Sequence, residues 1–229
     1  MAYNEELLMK YMIDHYRDRF PGCIITVYDN ESTDKTATIA QENGAIVIPY
    51  HSGGWVDDQK LKELKDNCWK SATTDWVLVC DTDELLNITA AELAQEDAAG
   101  TTIIKSEAYN MVNMFDNYDI AGMDHGTRCT AYDKDFLFKR TLIKEINYGH
   151  GGHVTHPIGV VKPSAKKYIC WHYLNVNPRR CFEKHQYTKS RLSELNRKMG
   201  WGVQYNRERS LEDIKVDYKN ARVAAMKVK

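Results

Sequence analysis

Short apolar runs rich in β-branched residues recur through the first half of the chain: CIITVY at 23–28, AIVIP at 45–49, WVLVC at 76–80 and TTIIKSEA at 101–108. Each has the length of a strand, and the lack of polar alternation in the first three marks strands buried on both faces. Between them lie stretches with helical spacing. Residues 4–19 carry Leu7, Leu8, Tyr11, Met12 and Tyr16 on one side, and Phe20-Pro21-Gly22 ends the run. Ser32 or Thr33 can cap a helix reaching Glu42, with Asp34 in its first turn and Gly44 past its end. Residues 57–71 place Leu61, Leu64, Cys68 and Trp69 on one face, and residues 88–97 form a further helix. Helix and strand alternate four times. The expected fold class is therefore α/β, with a mostly parallel central sheet flanked by helices.

The pattern changes after residue 109. Residues 110–165 are rich in Gly, His, Asp and aromatics, with short strands expected near 130–132, 136–139 and 159–162. YICWHYL at 168–174 is the last clear strand, and helices are expected over 178–199 and 210–229. This divides the chain into an α/β half (1–109), a second half of the same domain (110–177) and a C-terminal helical extension (178–229).

With 229 residues and 43% apolar composition, the chain can bury one sizeable core. Its 31 Lys and Arg balance 32 Asp and Glu, so no global field points to nucleic acid or an anionic membrane. The six cysteines form no C-x-x-C pair, which argues against a thiolate zinc site and for a reducing compartment. No apolar run approaches the ~20 residues of a membrane span, and residues 1–10 lack the pattern of a signal peptide. A soluble, cytoplasmic protein without a transmembrane segment is expected.

The feature richest in chemistry is Asp81-Thr82-Asp83, directly after the 76–80 strand. Ligands of open α/β sheets bind beyond the carboxyl ends of strands. Two carboxylates two residues apart repel each other unless a cation sits between them, and oxygen ligands suit Mg²⁺ or Mn²⁺, which also bridge to phosphates. The plainer alternative is an acidic loop in which Glu84 caps a following helix. Tyr28-Asp29-Asn30-Glu31-Ser32-Thr33-Asp34 ends an earlier strand and places hydrogen-bonding groups beside a helix start, suited either to a base or ribose or to capping alone.

Tyr3-Asn4-Glu5-Glu6, YDNESTDKT at 28–36 and DWVLVCDTDELL at 75–86, in this order, resemble the family 2 type of GT-A glycosyltransferases over roughly the first 110 residues. The resemblance implies the GT-A (nucleotide-diphospho-sugar transferase) fold and an inverting transfer from a UDP- or GDP-sugar to a hydroxyl of a glycan or glycoprotein. It also implies that Tyr3, Asp29 and Asn30 contact the nucleoside. Asp81, Thr82 and Asp83 would hold the sugar diphosphate, with Asp81 and Asp83 on the metal. The sequence departs from the family in one respect: only Met1 and Ala2 precede Tyr3, where the family carries a full strand.

Lys65, in the helix before the D-x-D strand, is a candidate diphosphate contact, against the more ordinary reading of an exposed helix lysine. The resemblance also implies a late histidine as a further metal or diphosphate ligand, for which His172, in CWHYLN before a polar loop and a basic helix, is the candidate; the alternative is a strand residue bonded to backbone. An acceptor proton needs a base. Asp124 in GMDHG is the first candidate, with Glu107 and His153 as alternatives, His153 lying in the flexible GHGGH stretch. The basic residues of 178–199 read mostly as a solvated face, with a few available to a diphosphate or an anionic acceptor. Two rival functions stand beside the transferase: a sugar nucleotidyltransferase, which would show a Gly-rich basic loop near its start, and a non-catalytic carbohydrate- or nucleotide-binding module.

Overall fold

The computed structural model describes residues 1–116 and 119–229. In chain order its elements are α1 (Glu6–Arg19), β1 (Thr26–Asp29), α2 (Thr36–Glu42), β2 (Ile46–Pro49), α3 (Asp58–Asn67), β3 (Trp76–Leu78), β4 (Glu84–Leu86), α4 (Ala90–Ala98) and β5 (Ile103–Val112). There follow β6 (His125–Arg128), β7 (Leu137–Lys139), β8 (Ile143–Glu145), β9 (Ile158–Gly159) and β10 (Pro163–Asn175). The chain closes with α5 (Pro178–Arg191), α6 (Glu194–Met199), α7 (Leu211–Ala224) and β11 (Met226–Lys227).

The protein is a mixed α/β structure, but the mostly parallel central sheet expected from the alternation is not what forms. Among the strands of the described residues only β1–β2 and β5–β10 pair in parallel. The pairs β4–β10, β6–β11, β3–β7, β5–β6, β5–β7 and β8–β9 are antiparallel. Two features cause this. Strand β4 follows β3 after only five residues, which hold the D-x-D turn and are too few for the crossover a parallel neighbour needs, and it runs against β10. The 110–165 segment then lays β7 and β6 along one edge of β5 while β10 takes the other.

The β1–β2 pair is joined to the larger sheet through the first two residues. Ala2 pairs with Asp29 of β1, while the Met1 carbonyl accepts from the Thr82 amide. The 45–49 run is a strand, but not a buried one: Ile46 and Ile48 of β2 face solvent at the open edge. The core lies instead between α1 and the β4–β10–β5 face, where Leu8, Met9, Ile13, Leu85, Leu86, Ala108 and Cys170 are buried. Residues 130–132 form a 3-10 turn rather than a strand.

The C-terminal extension is helical in the main. Ser193 caps α6 through the Asn196 amide, which breaks the expected 178–199 helix at Leu192. Helix α7 is closed at its start by a Ser210–Asp213 capping box and ends at Ala224, and β11 adds to β6.

Candidate functional site

Asp81 and Asp83 leave the end of β3 in a tight turn. The Glu84 side chain accepts from the Asp81 amide at 3.1 Å, and the Asp83 carbonyl accepts from the Tyr173 amide at 2.7 Å. Glu84 therefore caps its own turn and opens β4, not a helix. Thr82 is buried, its hydroxyl donating to the Met1 carbonyl. The turn lines a cavity of about 440 Å³ whose other walls are the start of the chain, the Gly-rich 150–153 loop, β10, and the α5–α6 region.

Four carboxylates meet four cations under and around this turn. Lys65 reaches Asp81 at 2.8 Å and Lys134 lies 3.6 Å from the same oxygen while also pairing with Glu84. Lys184 bridges Asp83 at 2.8 Å and Glu5 at 2.9 Å, and Arg180 completes the set on Glu5. Burial would raise the Asp81 and Asp83 carboxyls, but the adjacent lysines outweigh it and hold both well below the usual range. Burial disfavours the Lys134 ammonium, yet Glu84 and Asp81 overcome it and push its pKa above the ordinary lysine value.

His172 stands beside Asp83, its Nε2 3.7 Å from the carboxylate, and its Nδ1 meets Asn110 Oδ1 at 2.7 Å. Burial depresses the imidazole against the opposing pull of Asp83. In the neutral tautomer that donates from Nδ1 to Asn110, the Nε2 lone pair faces a carboxylate oxygen. His153 lies across the cavity, edge-on to Tyr132 at 4.9 Å. Its Nδ1 is buried with no hydrogen-bond partner, and burial lowers its pKa to about 4. Gly152, with φ of +71°, brings the 150–153 backbone so close that an added Cβ would lie 2.9 Å from Lys65 Nζ.

At the other end of the cavity Tyr3 carries the guanidinium of Arg191, 3.3 Å above its ring, with Tyr187 edge-on at 5.4 Å. Arg191 donates to Asn30 Oδ1 and to the Gly54 carbonyl. Asp29 accepts from the Ser32 amide, and its second carboxylate oxygen is buried and unpartnered.

Of the residues singled out in the sequence, Tyr3, Asn30, Asp81, Thr82, Asp83, His153 and His172 line one cavity. Lys65 is buried behind it on Asp81, not exposed on its helix. Asp124 and Glu107 are not among the lining residues. Asp124 sits at the surface, paired with His125 and Lys227 near β11. Among the described residues no three His, Cys, Asp or Glu side chains gather at ligand spacing. Lys184, Tyr187 and Arg191 went unrecognised in a helix read mostly as solvated. Their spacing, with Arg180, of three and four residues marks one helix face. No helix among the described residues is long and apolar enough to cross a membrane.

No family model matches the chain. A TPR repeat-containing protein of Synechococcus elongatus is 34% identical over 88 residues, which is 36% of this chain, and the match spans 21% of that protein. Among solved structures, S. aureus TarS is similar over 82% of this chain and 38% of its own, at 15% identity and a TM-score of 0.45.

Proposed function

We propose that the protein is a metal-dependent glycosyltransferase that takes a nucleoside-diphosphate sugar at this cavity. The observation that carries the reading is the convergence on one cavity of the Asp81–Asp83 turn with Tyr3 and Asn30, which lie far from it in sequence. Tyr3 supplies an aromatic face for a base and Asn30 an acceptor beside it, while Asp29, outside the lining, holds the Ser32 turn. Lys184, already oriented by carboxylates and part of the cavity lining, is close enough to the turn to meet phosphate oxygens.

The donor set suits a divalent cation. In the tautomer that donates from Nδ1, the His172 Nε2 lone pair and the Asp83 oxygen are two acceptors 3.7 Å apart, and the Lys184 ammonium on that same oxygen supplies the positive charge that a divalent cation would take over. Asp83 and His172 would hold Mn²⁺ or Mg²⁺, with Asp81 as the second carboxylate. Bound there, the metal would neutralise charge on the leaving diphosphate.

Of the three base candidates, His153 is the one that lines the cavity. It is neutral near pH 7, and its unpartnered Nδ1 can accept the proton of an acceptor hydroxyl. The hydroxyl oxygen then forms a bond to the anomeric carbon as the bond to the diphosphate breaks, the electron pair leaving with the diphosphate. Attack from the face opposite the leaving group gives inversion, and the acceptor is a glycan or glycoprotein hydroxyl.

A second reading, a non-catalytic binding module, is favoured by the complete pairing of Asp81 and Asp83 with lysines. Titration of nucleoside diphosphates with and without Mn²⁺, followed by thermal shift, tests the donor site. Binding strengthened by Mn²⁺ and weakened in Asp83→Ala supports a metal-assisted site. Absence of binding in every condition removes the donor reading.

A further inference from the structure

Arg191 is held as a planar ligand would be. Its Nε donates to the Gly54 carbonyl at 2.7 Å and its Nη2 to Asn30 Oδ1 at 3.0 Å, while the guanidinium lies 3.3 Å over Tyr3. Nε–H and Nη2–H form one side of the guanidinium fork, two parallel donors on a flat π system. The Arg191 position thus offers an aromatic face and two acceptors spaced for a pair of parallel N–H groups, Tyr3 and Asn30 on the cavity wall and the Gly54 carbonyl at its exposed rim.

Both acceptors are fixed in that role. The Asn30 amide nitrogen is already committed to the Tyr50 carbonyl at 3.0 Å and to Ser52 Oγ at 2.9 Å, so its oxygen must face Arg191. The Gly54 carbonyl is set by a backbone at φ of +78°, and the Gly54 amide is tied to Glu31 at 2.9 Å. Neither position can rotate to offer a donor without losing these bonds.

Resting on the glycosyltransferase reading, we infer that the nucleobase is guanine, and that Arg191 occupies its place in the free protein. Guanine carries the same fork on its Watson–Crick edge, N1–H beside the N2 amino group. Uracil offers a single N–H flanked by two carbonyl acceptors, which would oppose the Asn30 and Gly54 oxygens and leave one of them unpaired. An incoming guanine stacks on Tyr3, takes the two acceptors and displaces the Arg191 side chain into solvent at the end of α5.

The test is calorimetric binding of GDP, IDP and UDP to the full chain in the presence of Mn²⁺, with Arg191→Ala alongside. GDP is expected to bind roughly tenfold to a hundredfold more tightly than IDP, which lacks only the N2 amino group, and than UDP. Arg191→Ala, which frees the site, is expected to tighten GDP and preserve its lead. Equal binding of GDP and IDP, or tighter binding of UDP, overturns the guanine assignment and leaves the transferase reading intact. Weaker GDP binding in Arg191→Ala overturns the displacement. Binding of none of the three removes the transferase reading on which the inference rests.

Discussion

Replacing Lys134 by Met tests the charge network beneath the D-x-D turn. The Lys134 and Glu84 side chains are each 3% exposed and paired with each other, and Asp81 Oδ2 lies 3.6 Å from the same ammonium. At that distance and an effective dielectric near 20, the attraction to Asp81 alone is about 4–5 kcal/mol, largely offset by desolvation of the ions. The substitution removes the only cation paired with Glu84 among the described residues and leaves its carboxylate buried. Removal of one partner from a buried pair costs about 3–5 kcal/mol, because the remaining charge has no water to return to. With a slope of about 2–3 kcal/mol per molar urea, the unfolding midpoint should fall by about 1–2 M. Combining Lys134→Met with Glu84→Gln removes the stranded charge and should recover at least about 2 kcal/mol, measured as the coupling in a double-mutant cycle. A Lys134→Met protein within about 1 kcal/mol of wild type, or an additive cycle, would refute the electrostatic argument.

Acidification should destabilise the fold in two stages. His15 and His153 are both lowered by burial to about 4, so between pH 6.5 and 4 the unfolded chain binds protons that the folded chain refuses, and stability falls as pH falls. Each shift corresponds to at most about 3 kcal/mol, reduced to about 1–2 kcal/mol by partial solvent access, and urea titrations at pH 7 and pH 5 read it. Asp81 and Asp83, held below their ordinary values, contribute stability that is lost only at more acidic pH. Gly152→Ala forces a Cβ into a left-handed backbone and against Lys65, and should lower stability by about 1–3 kcal/mol in the same assay. His172→Gln, which keeps most of the buried volume, should weaken Mn²⁺ binding at least about tenfold by calorimetry; unchanged affinity would remove His172 as a ligand.

Apart from β4, the elements of the first 110 residues were legible because each of those strands falls in a short apolar run bounded by turn residues. Their pairing was not. Alternating helices and strands imply parallel crossovers only when each strand is followed by a helix, and β4 breaks that rule by following the Asp81–Asp83 turn directly. The 45–49 run shows the limit of composition. Ile46-Val47-Ile48 reads as core, but no strand among the described residues flanks β2 on its outer side, so the isoleucines face water.

The cavity lining was legible where polar residue types lie close together at a strand end, as in Asp81-Thr82-Asp83 and at Asn30, though not at its neighbours Tyr28 and Asp29. It was illegible where one long-range contact gives a residue its role. Lys134 lies between Asp133 and Asp135 and looks like an ordinary surface charge, but its backbone is tied to Ser106 of β5 and its ammonium meets Glu84. Asp124 looked like a base in a Gly-rich turn. Its neighbour β6 instead pairs with β11, which draws Asp124 to Lys227 at the surface.

The most direct test of the central claim is donor turnover. GDP-sugars and UDP-sugars would be incubated with the protein, with Mn²⁺ and with chelator, and release of nucleoside diphosphate followed for wild type, Asp81→Ala and Asp83→Ala. The account predicts slow hydrolysis of one donor that requires the metal and falls at least about a hundredfold in both variants. Turnover that is unaffected by chelator and by either substitution would contradict the role given to Asp81 and Asp83. Absence of turnover of every donor would leave a binding module in place of an enzyme.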